Sequence, residues 1–263
     1  MEFSYRNNHV RLGIANSIAS KNNFDWLTTI RYAKELALSL IQFYISQKEL
    51  ASSFQEIRFR WNFDTNAFFH LAKGADSRQL EDSFRFITGL SVHPVILSHE
   101  VDINKEVLKK FTSSNGIFAI ENDTSDRLNL NTYFNLIQQL PSIIKSNRIY
   151  FAVLDIPRFF NQYASHFSIE EISETIKNTL KYVQRNNIPI IFHMIDVKSV
   201  SAGREDWTAL FQGCLPWDEI LSYALSIRCP IKAFIMEYED FSLTRESIYN
   251  LKKWSLRNNL LLR

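Results

Sequence analysis

Glu121, Asp155, His193 and Glu237 are the residues of this sequence whose types and spacing could do chemistry together. Each closes a short apolar run: Ile-Phe-Ala-Ile before Glu121, Phe-Ala-Val-Leu before Asp155, Pro-Ile-Ile-Phe before His193 and Ala-Phe-Ile-Met before Glu237. They follow one another at roughly 40-residue intervals, the length of one strand-and-helix repeat. Three carboxylates and one imidazole suit a single divalent ion: Mn²⁺, Mg²⁺, Co²⁺, Fe²⁺ or Zn²⁺. Taken singly, each could pair with an arginine or cap the next helix. Four in register on successive strands argue for a shared cation, because a carboxylate buried without a partner is costly.

The elements that must position these residues follow from periodicity. Each run has the length and apolar content of a strand buried on both faces. Strands are expected at 10–15, 40–45, 57–63, 95–98 and in the four runs that end in the polar residues; a third strand at 67–72 is the alternative to 57–63. The region 57–63 reads as a strand because Arg58 and Arg60 alternate with Ile57, Phe59 and Trp61. Helices are expected at 24–38, 76–90, 104–111, 131–144, 168–185, 217–227 and 243–256, with a short helix or turn at 47–55. Ser168 with Glu171 has capping-box spacing, and Pro141 could end its helix early. A long polar loop covers 198–212. Eight strands alternating with helices predict an α/β fold, a (β/α)8 TIM barrel forming one domain over residues 1–263, with the polar ends converging at the barrel mouth. An open doubly wound sheet is the competitor, weakened because no Gly-rich dinucleotide loop follows the first strand.

Bulk properties narrow the function. The 263 residues match the roughly 250 of one such barrel. A net charge of +2 and the absence of a long basic run give no argument for a nucleic-acid partner and do not exclude one. Two cysteines, Cys214 and Cys229, provide neither a disulfide framework nor a thiolate metal site. No apolar run approaches a membrane span, and residues 1–20 lack a signal-peptide pattern. A cytoplasmic location is therefore expected. The aromatic content allows a homodimer interface without demanding one.

The same elements resemble the xylose-isomerase-like barrel superfamily of sugar isomerases, ketose 3-epimerases and endonuclease IV-type apurinic endonucleases. Leu-Gly-Ile-Ala-Asn-Ser at 12–17 is similar to that family's first strand and small-residue turn. Glu121-Asn122, the His193-x-x-Asp196-x-Lys198 element and Glu237 are similar to its strand-five, strand-seven and strand-eight elements. The resemblance implies one metal held by Glu121, Asp155, His193 and Glu237. It further implies an isomerase or epimerase of a small sugar-like substrate working through an enediolate, with Glu121 and Glu237 exchanging protons at the carbon. A three-metal phosphodiesterase fits less well. His99 matches one ligand of a second metal, but Asn62, Phe63 and Asp64 stand where that site's third-strand histidine is expected, and His70 lies further on. Arg158 and Thr208 replace two histidines of a third site. An endonuclease with a degenerate cluster and a barrel that binds without catalysis remain the alternatives.

Other polar residues receive secondary roles. His99, Arg158, Lys198 and Arg204 are candidate substrate contacts, the cations suiting a phosphate or carboxylate. Arg158 could instead pair with a carboxylate such as Asp206. His70 is expected to satisfy local backbone or pack beside Phe68 and Phe69. Asp196 is expected to orient His193 or its loop. Trp207 and Phe211 could stack on a sugar or simply pack on the barrel.

Overall fold

The computed structural model describes residues 9–46, 57, 59–124, 126–144, 150–200 and 204–263. In chain order the strands are β1 (His9–Ala15), β2 (Leu40–Ile45), β3 (Ala67–Leu71), β4 (Val95–His99), β5 (Ile117–Glu121), β6 (Tyr150–Asp155), β7 (Ile190–Met194), β8 (Asp196–Val197), β9 (Trp207–Thr208), β10 (Ile231–Met236) and β11 (Leu261–Leu262). The helices are α1 (Trp26–Glu35), α2 (Phe63–Asn66), α3 (Ser77–Leu90), α4 (Lys105–Ser113), α5 (Thr132–Ile144), α6 (Ile156–Tyr163), α7 (Ile169–Arg185), α8 (Trp217–Ser226) and α9 (Phe241–Arg257). β1 to β7 pair in sequence order, all parallel; β10 joins β7 on one side and β1 on the other. That last pairing closes an eight-stranded parallel barrel, a (β/α)8 TIM barrel. β8 and β9 form a small antiparallel hairpin over its mouth end, and β11 runs beside the start of β1.

Side-chain alternation divides the core in two. Alternate strand residues, including Leu40, Phe68, Leu97, Ala119, Phe151, Val153, Ile191, Ala233 and Ile235, pack together inside the barrel. Their neighbours face the helices and form the larger apolar shell with Trp26, Trp217 and Trp254. Two residues beyond an interior apolar position the chain again points inward. Phe68 therefore leads to His70, Leu97 to His99, Ala119 to Glu121, Val153 to Asp155, Ile191 to His193 and Ile235 to Glu237. The polar cluster thus sits directly on an apolar plug. Gly13 is required by the tight interior: a Cβ there would lie 2.7 Å from Leu40 O and 2.9 Å from Ile235 Cδ1.

Helix starts are set by local chemistry. Ser168 and Glu171 form the expected capping box on α7, and Asp76 with Gln79 forms another on α3. Asp25 caps α1 by accepting from Thr28 N. Phe24 adopts φ 58°, which keeps it out of the helix, so α1 is shorter than the apolar spacing suggests. α5 continues through Pro141 to Ile144 rather than ending at the proline.

The third strand corrects the sequence expectation. Among the described residues of 57–63, Phe59 and Arg60 form a turn and α2 begins at Phe63; the strand is Ala67–Leu71. Phe59 is 92% exposed, so the apparent alternation there reflects no buried face. The expected short helix at 47–55 lies outside the described residues, as does Arg58. The long polar loop is partly ordered by the β8–β9 hairpin. Asp196 ties its ends, accepting from Val197 N at 2.9 Å and Gly213 N at 3.0 Å. A Cβ on Gly213 would fall 2.1 Å from Asp196 Oδ1, so only glycine fits. No described helix is long and apolar enough to cross a membrane.

Candidate metal centre and active site

Strand register decides which side chains meet. His99 lies opposite Glu121 on β4 and β5, and Asp155 lies opposite His193 on β6 and β7. Glu237 follows the end of β10, its amide donating to Met194 O at 3.4 Å. One ligand atom from each of Glu121, Asp155, His193 and Glu237 lies within 4.8 Å of the others, and all four residues are buried. His70, His99 and Glu121 form a second such group, so Glu121 belongs to both. The strand-three histidine thought to be missing is therefore present. His70 donates from Nδ1 to Leu71 O at 2.9 Å, as expected of a locally satisfied residue, but its Nε2 also lies 2.5 Å from Glu121 Oε2. With Nδ1 already donating, that contact requires a proton on one of the two atoms.

Gln42 and Tyr44, interior residues of β2, were not singled out by sequence and complete the other wall. Gln42 donates from Nε2 to Glu237 Oε1 at 2.8 Å, which turns its carbonyl oxygen toward His193 Nε2 at 2.9 Å. His193 must therefore donate from Nε2, leaving Nδ1 to face Glu121 Oε1 at 3.4 Å and Glu237 Oε1 at 3.3 Å. Tyr44 donates its hydroxyl to Glu237 Oε1 at 2.7 Å. A polar residue at an inward position of an otherwise apolar strand was the available signal for all three of Gln42, Tyr44 and His70.

Arg158 holds the opposite wall. Its Nη2 is 3.0 Å from Glu121 Oε1, its Nη1 2.9 Å from Asp123 Oδ2 and its Nε 3.0 Å from Asp155 Oδ2. The expected partner Asp206 is not among these; the pairing is with the centre itself. Asp155 Oδ1 also accepts from Arg158 N at 3.0 Å and so caps α6. Asn122 holds the backbone of Asp155 from both sides, accepting from its amide at 2.7 Å and donating to its carbonyl at 3.0 Å.

Charge and burial set the protonation of the cluster. Burial opposes ionisation of Glu121, but Arg158 and His193 outweigh it and hold its carboxyl well below the usual range. Burial pushes the Asp155 carboxyl up to about 6 against the pull of Arg158. Burial works against a charged His193, yet the charges of Glu237 and Glu121 raise it to about 9. Burial and the neighbouring carboxylates push the Tyr44 hydroxyl well up, so it remains a donor.

The donor set fits a divalent ion. Glu121 Oε1 and His193 Nδ1 are buried with no hydrogen bond; Glu121 Oε1 meets Arg158 only as an ion pair, and His193 Nδ1 faces carboxylates only. Buried polar atoms left this way, converging with two further carboxylates, are what a cation would satisfy. Above them lies a cavity of about 660 Å³, whose wall includes Tyr44, His99, Asp155, Arg158, Trp207 and Glu237. Arg204 also lines it, paired with Glu239 and placed over the Trp207 ring at 5.9 Å. Lys198 is exposed and is not part of the wall, and Phe211 stacks on Trp254 instead of facing the cavity.

No family model matches the sequence, and no curated protein matches it. Solved structures do. The probable 3-DHS dehydratase AsbF of Bacillus anthracis, involved in petrobactin synthesis, aligns at 12% identity over 92% of this chain and 99% of that one, with a TM-score of 0.60. A D-tagatose 3-epimerase-like protein aligns at 15% identity over 95% and 98%, with a TM-score of 0.59. The fold is the (β/α)8 barrel that these structures share. The IolI protein, solved with a bound zinc atom, aligns at 14% identity over 94% and 97%, with a TM-score of 0.58. Likeness at these identities speaks for the barrel fold and not for a reaction.

Proposed function

We propose that this chain is a metal-dependent isomerase or epimerase of a small, sugar-like hydroxy-carbonyl compound, working through an enediolate. One observation carries the reading: four buried ligand groups converge at the floor of a cavity of small-molecule size, and two of them, Asp155 and Glu237, also form part of its wall. Glu121, Asp155, His193 and Glu237 would hold the ion, which supplies Lewis-acid polarisation of the substrate oxygen.

The remaining roles belong to side chains. Glu237 has the access to take a proton from carbon. Tyr44 and Gln42 both donate to Oε1, which fixes the carboxylate plane and orients Oε2. Glu121, from the other side of the barrel, is the candidate to return the proton, with His70 on its Oε2 as the proton's source. Gln42 keeps His193 in the tautomer that presents Nδ1. His99, Arg158 and Arg204 line the cavity and would contact substrate, and Trp207 would offer a ring for a sugar face. Lys198 lies outside the wall and is not given a substrate role.

Elemental analysis of the purified protein, followed by a deuterium-exchange screen over ketoses and aldoses, tests this. Stoichiometric metal and solvent exchange at a substrate C–H are expected. Metal-replete protein that exchanges no substrate proton across the panel would defeat the enediolate mechanism.

A second reading has a specific observation behind it. His70 and His99 meet Glu121, so two ions could share one carboxylate, the pattern of two-metal phosphodiesterases. The cavity's arginines, however, are matched by carboxylates rather than left for phosphates. Two ions per chain and cleavage of an abasic duplex would favour that reading over the isomerase. A chain that binds no metal would favour a non-catalytic barrel.

A further inference from the structure

Arg158 lines the cavity, but its guanidinium is already engaged. It lies in the first turn of α6, its side chain largely buried, and each of its three guanidinium nitrogens meets a different carboxylate: Glu121, Asp123 and Asp155. A guanidinium cannot lose its proton and cannot ligate a cation. It nevertheless holds the two oxygens that a metal would need.

The other oxygens of those two ligands are already committed. Asp155 Oδ1 accepts the backbone amide of Arg158, and Glu121 Oε2 meets His70 Nε2. What remains is Asp155 Oδ2, 3.0 Å from Arg158 Nε, and Glu121 Oε1, 3.0 Å from Nη2. Asp123 differs from both. It lies outside the four-residue group and is fixed independently, by Gln162 Nε2 on Oδ1 at 2.9 Å and Lys73 Nζ on Oδ2 at 2.7 Å. It offers Arg158 a partner that a metal does not compete for.

Building on the metal-centre reading above, we propose that Arg158 is the resident counter-ion of this carboxylate cluster, and that a divalent ion loads by taking Glu121 Oε1 and Asp155 Oδ2 from it while Asp123 keeps the guanidinium tethered at the cavity wall. The consequences are specific. The chain folds without metal because its buried carboxylates already have a cation. Ion affinity is held down by the contacts that must be exchanged.

Calorimetric titration of chelator-treated full-length protein with Mn²⁺ and with Zn²⁺ tests this, together with thermal unfolding with and without each ion. Arg158→Gln is expected to bind the ions at least about tenfold more tightly than wild type. It should also unfold at a lower temperature without metal and recover when an ion is added. Arg158→Lys keeps the charge but cannot reach three carboxylates in a planar fork, so it too should tighten binding. Should Arg158→Gln fail to fold, Arg158→Lys carries the same readout. Affinities unchanged or weakened in the variants overturn the proposal and leave the metal centre standing. Wild-type affinity in Arg158→Lys with tightening in Arg158→Gln alone also overturns it, because charge and not contact would then be the cause. Ion binding by neither wild type nor variants overturns the proposal and the metal centre together.

Discussion

Glu121 and Glu237 are the same residue at equivalent strand ends, yet their surroundings differ. Glu121 is enclosed by Arg158, His70 and His193 and forms no part of the cavity wall. Glu237 shares His193 with it, at 3.3 Å, but has no guanidinium; it receives hydrogen bonds from Tyr44 and Gln42, both neutral donors, and opens onto the cavity. A paired guanidinium holds a carboxylate ionised and fixed; neutral donors orient it without adding a charge. The comparison teaches that the β5 carboxylate is bound into ion pairs while the β10 carboxylate faces the cavity.

The contrast can be broken most directly at Glu121. Glu121→Gln removes the charge facing Arg158 and two histidines, and is expected to cost on the order of 3 kcal/mol of metal-free stability. It should also abolish ion binding; denaturant unfolding and calorimetry check both. Glu237→Gln keeps an oxygen that Tyr44 and Gln42 can bond, so its unfolding midpoint should stay near wild type. Turnover of whichever substrate the exchange screen identifies should instead fall by about 10²–10⁴-fold. If the two variants were equally unstable, the distinction between the walls would fail.

Smaller effects sharpen it. Gln42→Met removes the group that fixes the His193 tautomer, and ion affinity is expected to drop by about 10–100-fold. Titration of that variant with Zn²⁺ checks it. Tyr44→Phe removes one hydrogen bond to a carboxylate and is expected to cost about 1–2 kcal/mol, with ion binding retained. Loss of the ion in Tyr44→Phe would show that the hydroxyl is needed for more than orienting Glu237.

Much of the site was legible because the barrel repeats. Glu121, Asp155, His193 and Glu237 each follow an apolar run that matches a strand, and a shared register carries them to one end. His70 was obscured by the alternation at 57–63, which belongs to a turn and not to a sheet. The true strand, Ala-Phe-Phe-His-Leu, is buried along its whole length, so its polar residue read as packing rather than chemistry. Gln42 and Tyr44 were hidden in the same way within β2. Arg158 was recognised as a departure from the resemblance and a carboxylate was expected as its alternative partner, but the example was Asp206 rather than the centre itself.

By itself the sequence determined the repeat and the four polar residues at or beside the strand ends of the second half, since apolar spacing and strand parity follow directly from residue order. Only the tertiary structure decided that Arg158 reaches into the centre, that Gln42 sets His193 and that Glu121 and Glu237 stand in opposite surroundings. Those choices depend on side-chain directions and approaches of about 3 Å between residues distant in the chain, which spacing does not encode.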